Sequence, residues 1–308
     1  MTATATYSKP QVKQSRFMRK ALPYLLSLPA LLMCIGILIP FFTAVYYSML
    51  RFRLNLPQMK GFIWFGNYVN FFYDPKFWNT VYISLLYAFL TVGLELMLGL
   101  AIALLLQKQT RFNNIASILL LLPLMTAPAL ASLMWKLMTN PNFGILSYFV
   151  SLLGVHDFKW ASDPSTALLT VVLVDIWVYT PFIMILLLAG LRSLPQAPFE
   201  AAALDGVPRS FVFFRITLPM LMPYVITATL FRLLDSIQQF DIIYSMTQGG
   251  PGDTLTVFQV QAYLEAFSFS NIGRSAALVM ILWAITYALS TVFIKQWLKL
   301  RANARGQG

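Results

Sequence analysis

Residues Thr166 to Leu191 read TALLTVVLVDIWVYTPFIMILLLAGL and contain a single charge, Asp175. A helix of about 20 apolar residues crosses the hydrocarbon core of a bilayer. This stretch is long enough, and it is apolar on every side, unlike a helix with one face in water. Five further stretches share its character. Leu22 to Leu50 carries no charge, Thr80 to Leu106 carries Glu95, and Ile115 to Met138 carries Lys136 with Pro123 and Pro128. Ile216 to Phe240 carries Arg232 and Asp235, and Ser275 to Trp297 carries Lys295. The pattern predicts an all-α, polytopic membrane protein with six transmembrane helices.

Composition points the same way. The 308 residues are 58% hydrophobic and 11% charged, whereas soluble domains are about 25% charged. So few charges cannot cover a globular surface, and the chain is too apolar for disorder. The formal net charge is nevertheless +11, from 22 Lys and Arg against 11 Asp and Glu. A basic total is compatible with nucleic-acid binding, so the placement of the charges has to decide.

Placement turns the charge into an orientation signal. Lys9, Lys13, Arg16, Arg19 and Lys20 precede the first span, and Lys108 and Arg111 follow the second. Arg192, Arg209 and Arg215 follow the fourth, and Lys295, Lys299, Arg301 and Arg305 end the chain. All of these segments fall on one side of a six-span chain. The opposite loops hold only Arg51, Arg53, Lys60, Lys76 and Lys159. Basic residues concentrate in cytoplasmic loops, so both termini are expected in the cytoplasm and no nucleic-acid partner is expected. The first span is about twice the roughly 7–15 residues of a signal-peptide core, so it reads as a retained helix. The resulting division is a tail 1–20, a six-helix domain 21–298 with a cytoplasmic loop 192–219, and a tail 299–308.

Enzymatic chemistry finds little to work with. Cys34 and His156 are each the one residue of their type, which removes intrachain disulfides and Cys or paired-His metal sites. His156 sits in a Gly154-Val155-His156-Asp157 stretch that reads as a loop. No run fits the Gly-x4-Gly-Lys-Ser/Thr loop that cradles phosphates, and Gly249-Gly250-Pro251-Gly252 reads as a turn. No catalytic or metal-binding residue is assigned. Trp64, Trp78 and Trp160 lie near span ends, where indole rings anchor at the headgroups. Gly144 to Leu153 reads as an interfacial helix.

The loop after the fourth span has its own structure. Pro198 opens a short helix, and Glu200 in the first turn suits the positive end of the helix dipole. Ala201, Ala202, Ala203 and Leu204 are strong helix formers of small profile. Gly206 permits a left-handed cap, and Pro208 prevents simple continuation. A small-residue face lets another surface approach closely.

Glu200, Ala201, Ala202, Gly206, Ile216, Leu218 and Pro219 together resemble the EAA loop of ABC-importer permeases. Gln238 to Pro251, with Thr254 and Tyr263, resembles the segment after span five in carbohydrate permeases of the MalF type. Gly66-Asn67-Tyr68 and Trp135-Lys136 through Phe143-Gly144 also fit. The resemblance runs from about residue 20 to the C-terminus. It lacks the extra N-terminal helices and large periplasmic insertion of some members. It implies the type I importer permease (MetI-like) fold, in a bacterial inner membrane. Glu200, Ala201, Ala202, Asp205 and Gly206 would then couple to a separate ATPase. The implied partners are two ATP-binding subunits, a second, non-identical permease of the MalG type, an extracytoplasmic solute-binding protein and a carbohydrate. ATP and Mg would reside on the partner subunits, with no cofactor in this chain.

Charges inside spans are costly and usually face a bundle interior or a wet cavity. Asp175, Val178, Tyr179 and Phe182 share one helical face. By the resemblance, Asp175 occupies a position where the maltose permease has a sugar-contacting amide. Asp235, Ser236 and Gln239 match contact positions in span five, and Met125 and Ala129 match positions in span three. Because this chain has acids at an amide and an aromatic position, individual sugar contacts do not transfer. For Asp175, ligand contact and structural pairing both stand. For Asp235, ligand contact and an i−3 pair with Arg232 both stand. Glu95 reads as an inter-helix polar contact. The expected function is a permease subunit of a carbohydrate ABC importer. The rivals are an importer of glycerol-3-phosphate or another polar solute, and an ion-coupled secondary transporter.

Overall fold

The computed structural model describes residues 16–155 and 157–305. Lys9, Lys13, His156 and the tail beyond Arg305 lie outside the described residues. The chain separates into two units, one up to Tyr46 and one from Tyr47 onward. The first is the body of helix α1 (Arg16–Ser48). Its segment Leu26–Ser48 is long and apolar enough to cross a membrane.

The second unit is a helical bundle. Its elements are α2 (Gly66–Phe72), α3 (Pro75–Leu106), α4 (Arg111–Leu120), α5 (Pro128–Met138), α6 (Ile145–Leu152), α7 (Pro164–Ser193), α8 (Ala197–Leu204), α9 (Arg209–Val212), α10 (Leu218–Ile237), α11 (Asp241–Thr247), α12 (Phe258–Tyr263) and α13 (Ile272–Arg305). A two-stranded antiparallel ribbon pairs Leu50 with Phe62 and Arg51 with Gly61. Among the described residues, five helical segments qualify as membrane spans, and a bent pair makes a sixth if it counts as one. Within the Gly144 to Leu153 stretch, Ile145–Leu152 is helical, as α6.

Side-chain caps start three of these helices, a few residues before the apolar stretches begin. Asp74 caps α3 by accepting from the Lys76 backbone N–H at 3.0 Å, with Pro75 in the first turn. Asp163 caps α7 in the same way through Ser165, with Pro164 following. Thr110 caps α4 through Asn113 at 3.1 Å.

The third span departs from expectation. Instead of one helix over Ile115 to Met138, α4 continues through a single tight turn, Pro123–Met125, and α5 leaves at 92°. Pro128 is the physical cause. It disfavours helical backbone at the preceding residue, and Ala127 is extended, at φ −64°, ψ 128°.

Packing centres on α3 and α7. Their C-terminal ends lie together, so they run parallel, and α10 runs against both. Gly99 permits their approach: a methyl there would sit 2.8 Å from Ile183 Cγ2. Gly190 of α7 does the same for α10, where a methyl would meet the Tyr224 ring at 2.6 Å. At the opposite end, Tyr87, Val171, Val174 and Val178 pack with Ile242, Ile243 and Leu255. Trp64 and Trp78 are exposed, as an anchor must be, but Trp160 is 7% exposed. It packs edge-on against Phe158 at 4.8 Å, so it forms part of the core below α7 rather than an anchor.

Candidate functional site

Four charged side chains inside the spans meet at one point. Arg232 of α10 is 1% exposed. Its Nε donates to Glu95 Oε2 at 2.7 Å and its Nη2 to Glu95 Oε1 at 3.0 Å. Nη2 also donates to Asp175 Oδ2, and Nη1 donates to Asp235 Oδ2 at 2.7 Å. The planar guanidinium fork can serve several acceptors at once. This arrangement gives the buried carboxylates of Glu95 and Asp175 a cationic partner, whose loss costs about 3–5 kcal/mol, and ties the half-exposed Asp235 to the same cation. Glu95 therefore makes the inter-helix contact expected of it.

Neutral groups complete the cluster. Gln239 Nε2 donates to Asp175 Oδ1 at 3.1 Å, and the Thr91 and Ser236 hydroxyls share a hydrogen bond at 2.8 Å. The Tyr179 ring centroid lies 4.0 Å from the Arg232 guanidinium carbon, a cation–π distance.

One side of the cluster opens into a cavity of about 280 Å³ lined by Leu124, Tyr179, Phe182, Phe231, Arg232 and Asp235. Three aromatic rings supply flat apolar faces. Asp235, with its side chain 55% exposed, supplies an accepting carboxylate. Such a surface suits a ring that has one apolar face and hydroxyls at its edge.

The sequence-selected residues divide accordingly. Tyr179, Phe182 and Asp235 line the cavity. Asp175 is fully buried behind it with both oxygens bonded, and Gln239 and Ser236 are buried beside it. Met125 is 80% exposed at the break in the third span, and Ala129 begins α5. Neither lines the cavity. Sequence reading did not single out Leu124, Phe231 or the central role of Arg232. For Arg232 a signal existed, because a cation in an apolar span needs anionic partners, and Glu95, Asp175 and Asp235 were the in-span acids.

The loop beyond α7 has the form its sequence suggests. In α8, Pro198 lies in the first turn with Glu200. Gly206 takes φ +66°. The Val207 N–H donates to the Ala202 carbonyl and the Gly206 N–H to the Ala203 carbonyl, each at 3.3 Å. This is the paired C-terminal cap that a left-handed glycine permits. Ala202 is buried, while Glu200, Ala201, Asp205 and Gly206 face outward and Leu204 is 90% exposed. Behind α8 lies a second cavity of about 350 Å³, bounded by Leu104, Gln107, Phe199 and Arg209.

Arg192 fastens the root of this loop. Its guanidinium donates to the carbonyls of Leu106 at 3.0 Å and Gln107 at 3.3 Å, and to Asn114 Oδ1 at 3.3 Å. It thereby satisfies C-terminal carbonyls of α3 that the helix leaves unpaired. The adjacent Ser193 hydroxyl shares a hydrogen bond with Tyr224 of α10 at 2.8 Å. Beyond α9, residues Phe213–Thr217 widen into one π-turn before α10.

Comparison with known proteins follows the same lines. The chain is 31% identical over 281 residues to the trehalose/maltose transport system permease protein MalF of Thermococcus litoralis, covering 91% of this chain and 95% of that one. It is 31% identical over 271 residues to the sulfoquinovosyl glycerol transport system permease protein SmoG of Agrobacterium fabrum, covering 88% of each. Its fold is similar to a chain in the crystal structure of a bacterial ABC transporter involved in the import of the acidic polysaccharide alginate. There the TM-score is 0.77 at 18% identity, covering 92% of this chain and 99% of that one. The family described as binding-protein-dependent transport system inner membrane component matches residues 95–302. The protein is therefore a permease component, not an enzyme by family, and it belongs to the binding-protein-dependent transport system inner membrane components.

Proposed function

We propose that this permease forms part of the translocation path for a carbohydrate and is driven by ATP hydrolysed on two separate subunits. The observation that carries the carbohydrate reading is the cavity lined by Tyr179, Phe182 and Phe231 together with the half-exposed carboxylate of Asp235. Aromatic faces beside a hydrogen-bond acceptor match the two kinds of surface on a sugar ring. The relatives named for trehalose and maltose and for sulfoquinovosyl glycerol support a sugar or sugar derivative.

In this reading α8 docks into a groove of an ATP-binding subunit. Its outward Glu200, Ala201, Asp205 and Gly206 make the contact, and the loop 192–219 is the coupling element. ATP binding favours the closed pair of ATPase subunits, α8 moves with them, and the spans turn outward. The drive is the difference in ATP affinity between the two states. A second, non-identical permease completes the path, and a soluble binding protein delivers the solute at the outer face. Residues 21–298 are the permease domain, and the tails 1–20 and 299–308 lie in the cytoplasm. ATP and Mg belong to the partner subunits, with no cofactor in this chain.

The test is purification of the tagged full-length chain from its native membrane, with its companions identified by mass spectrometry and its uptake measured on a panel of labelled sugars. ATP-binding subunits and a second permease should co-purify, and at least one sugar should be taken up in an ATP-dependent manner. Recovery without an ATP-binding subunit, or uptake driven by an ion gradient alone, sinks the reading.

A further inference from the structure

Arg232 lies in the wall of the cavity yet offers it little cationic character. Each guanidinium nitrogen is already engaged by a carboxylate: Nε and Nη2 by Glu95, Nη2 also by Asp175, and Nη1 by Asp235. Three carboxyl groups thus share one guanidinium. Among the described residues, no other basic side chain lines the cavity.

The three acids are not equivalent. Glu95 and Asp175 are fully buried. Asp235 alone combines a bond to Arg232 with an exposed face, at 55%. Its Oδ2 accepts from Arg232, and its Oδ1 accepts no hydrogen bond from any described residue. The aspartate therefore does two things. It screens the guanidinium from the cavity, and it presents a free accepting oxygen there. A hydroxyl or ammonium group can donate to that oxygen. A carboxylate, sulfonate or phosphate meets like charge there.

We propose that Asp235 is a charge-selecting residue. It makes this permease admit neutral or amino-substituted glycosides and reject acidic ones, and its removal weakens that rejection by freeing Arg232 Nη1. The proposal rests on the cavity being the substrate site, as read above. It names the class of sugar and assigns the discrimination to one side chain. The Arg232 charge is retained in both cases; only its shield differs.

The test uses the complete transporter purified from its native membrane and held in lipid nanodiscs. Binding of two probes, methyl α-glucoside and glucuronate, is measured on wild type, Asp235→Asn, Asp235→Ala and Phe182→Ala. Wild type should prefer the neutral probe. Both Asp235 variants should shift the glucuronate-to-glucoside affinity ratio toward glucuronate by about tenfold or more, the scale of one like-charge contact. Phe182→Ala should weaken both probes and leave their ratio unchanged. An unchanged ratio in both Asp235 variants, with Phe182→Ala still weakening binding, overturns the charge-selection proposal alone. Binding that Phe182→Ala leaves untouched, or absence of binding in every form, overturns the cavity reading and the proposal with it.

Discussion

Arg232 and Glu95, 137 positions apart in sequence, are joined by two hydrogen bonds of 2.7 and 3.0 Å between fully buried side chains. This pair pins α10 to α3 at the depth where Asp175 of α7 also reaches the guanidinium. The three principal spans of the bundle thus meet at one cation.

Stability should depend on this cation more than on any one acid. Arg232→Met strands two buried carboxylates, a loss of about 3–5 kcal/mol or more. Glu95→Gln removes one of three negative charges, so its cost should be well below that of Arg232→Met. The thermal midpoint of the purified complex should fall far more for the arginine variant. Equal shifts, or the reverse order, would falsify the view that Arg232 holds the cluster.

Gly206 should be conformationally, not sterically, restricted. A methyl at this position meets nothing within 4 Å, but φ is +66°. The strain of a left-handed non-glycine residue is of order 1 kcal/mol. Solute uptake should decline in the order Gly, Asn, Ala, Val, because asparagine tolerates this region best. An alanine variant that outperforms the asparagine variant argues against a role for backbone conformation.

Arg192→Gln should loosen the junction between α3, α4 and the loop that carries α8. Charged side chains at helix C-termini contribute about 0.3–1 kcal/mol at exposed sites, so the global destabilisation should be small. The larger effect should be on solute transported per ATP hydrolysed, since α8 would move without drawing α3 with it. Arg192→Lys should restore part of that ratio. An unaltered ratio in Arg192→Gln would show the contact to be purely local.

The start of α7 should respond to acid. Asp163 accepts from the Ser165 backbone N–H at 2.9 Å and from its hydroxyl at 2.6 Å. The Ser165 hydroxyl and then its N–H hold the Asp163 carboxyl below its ordinary value. A depressed folded-state value means that the cap stabilises above the unfolded carboxylate range and is lost as pH falls through the folded value. Hydrogen exchange at the first turn of α7 should therefore speed up on acidification, after correction for intrinsic rates. Asp163→Asn should remove that dependence. Identical pH profiles in the two proteins would exclude the cap as its source.

Much of this molecule was legible locally. Hydropathy located the spans because crossing a bilayer is a demand on each segment separately. The cap of α8 was legible because Pro198, Glu200 and Gly206 act over a few bonds. The third span was only half legible: its apolar length was read as one helix, while Pro128 breaks it and α5 leaves at 92°. For the site, the i, i+3 partner of Arg232 was visible as Asp235. Glu95 and Asp175 were visible only as costly charges in search of a partner.

By itself the sequence determined that the chain is a helical membrane protein, where its spans lie, and the form of the short helix after the fourth. These follow from the free energy of apolar transfer and from backbone geometry, which neighbouring residues settle among themselves. Only the tertiary structure decided that Asp175 turns inward to Arg232 while Asp235 keeps one oxygen at the cavity. Both acids lie in apolar spans and both need a cation. Which is buried and which is left facing space depends on how α3, α7 and α10 pack around a single guanidinium, and no local stretch of sequence contains that information.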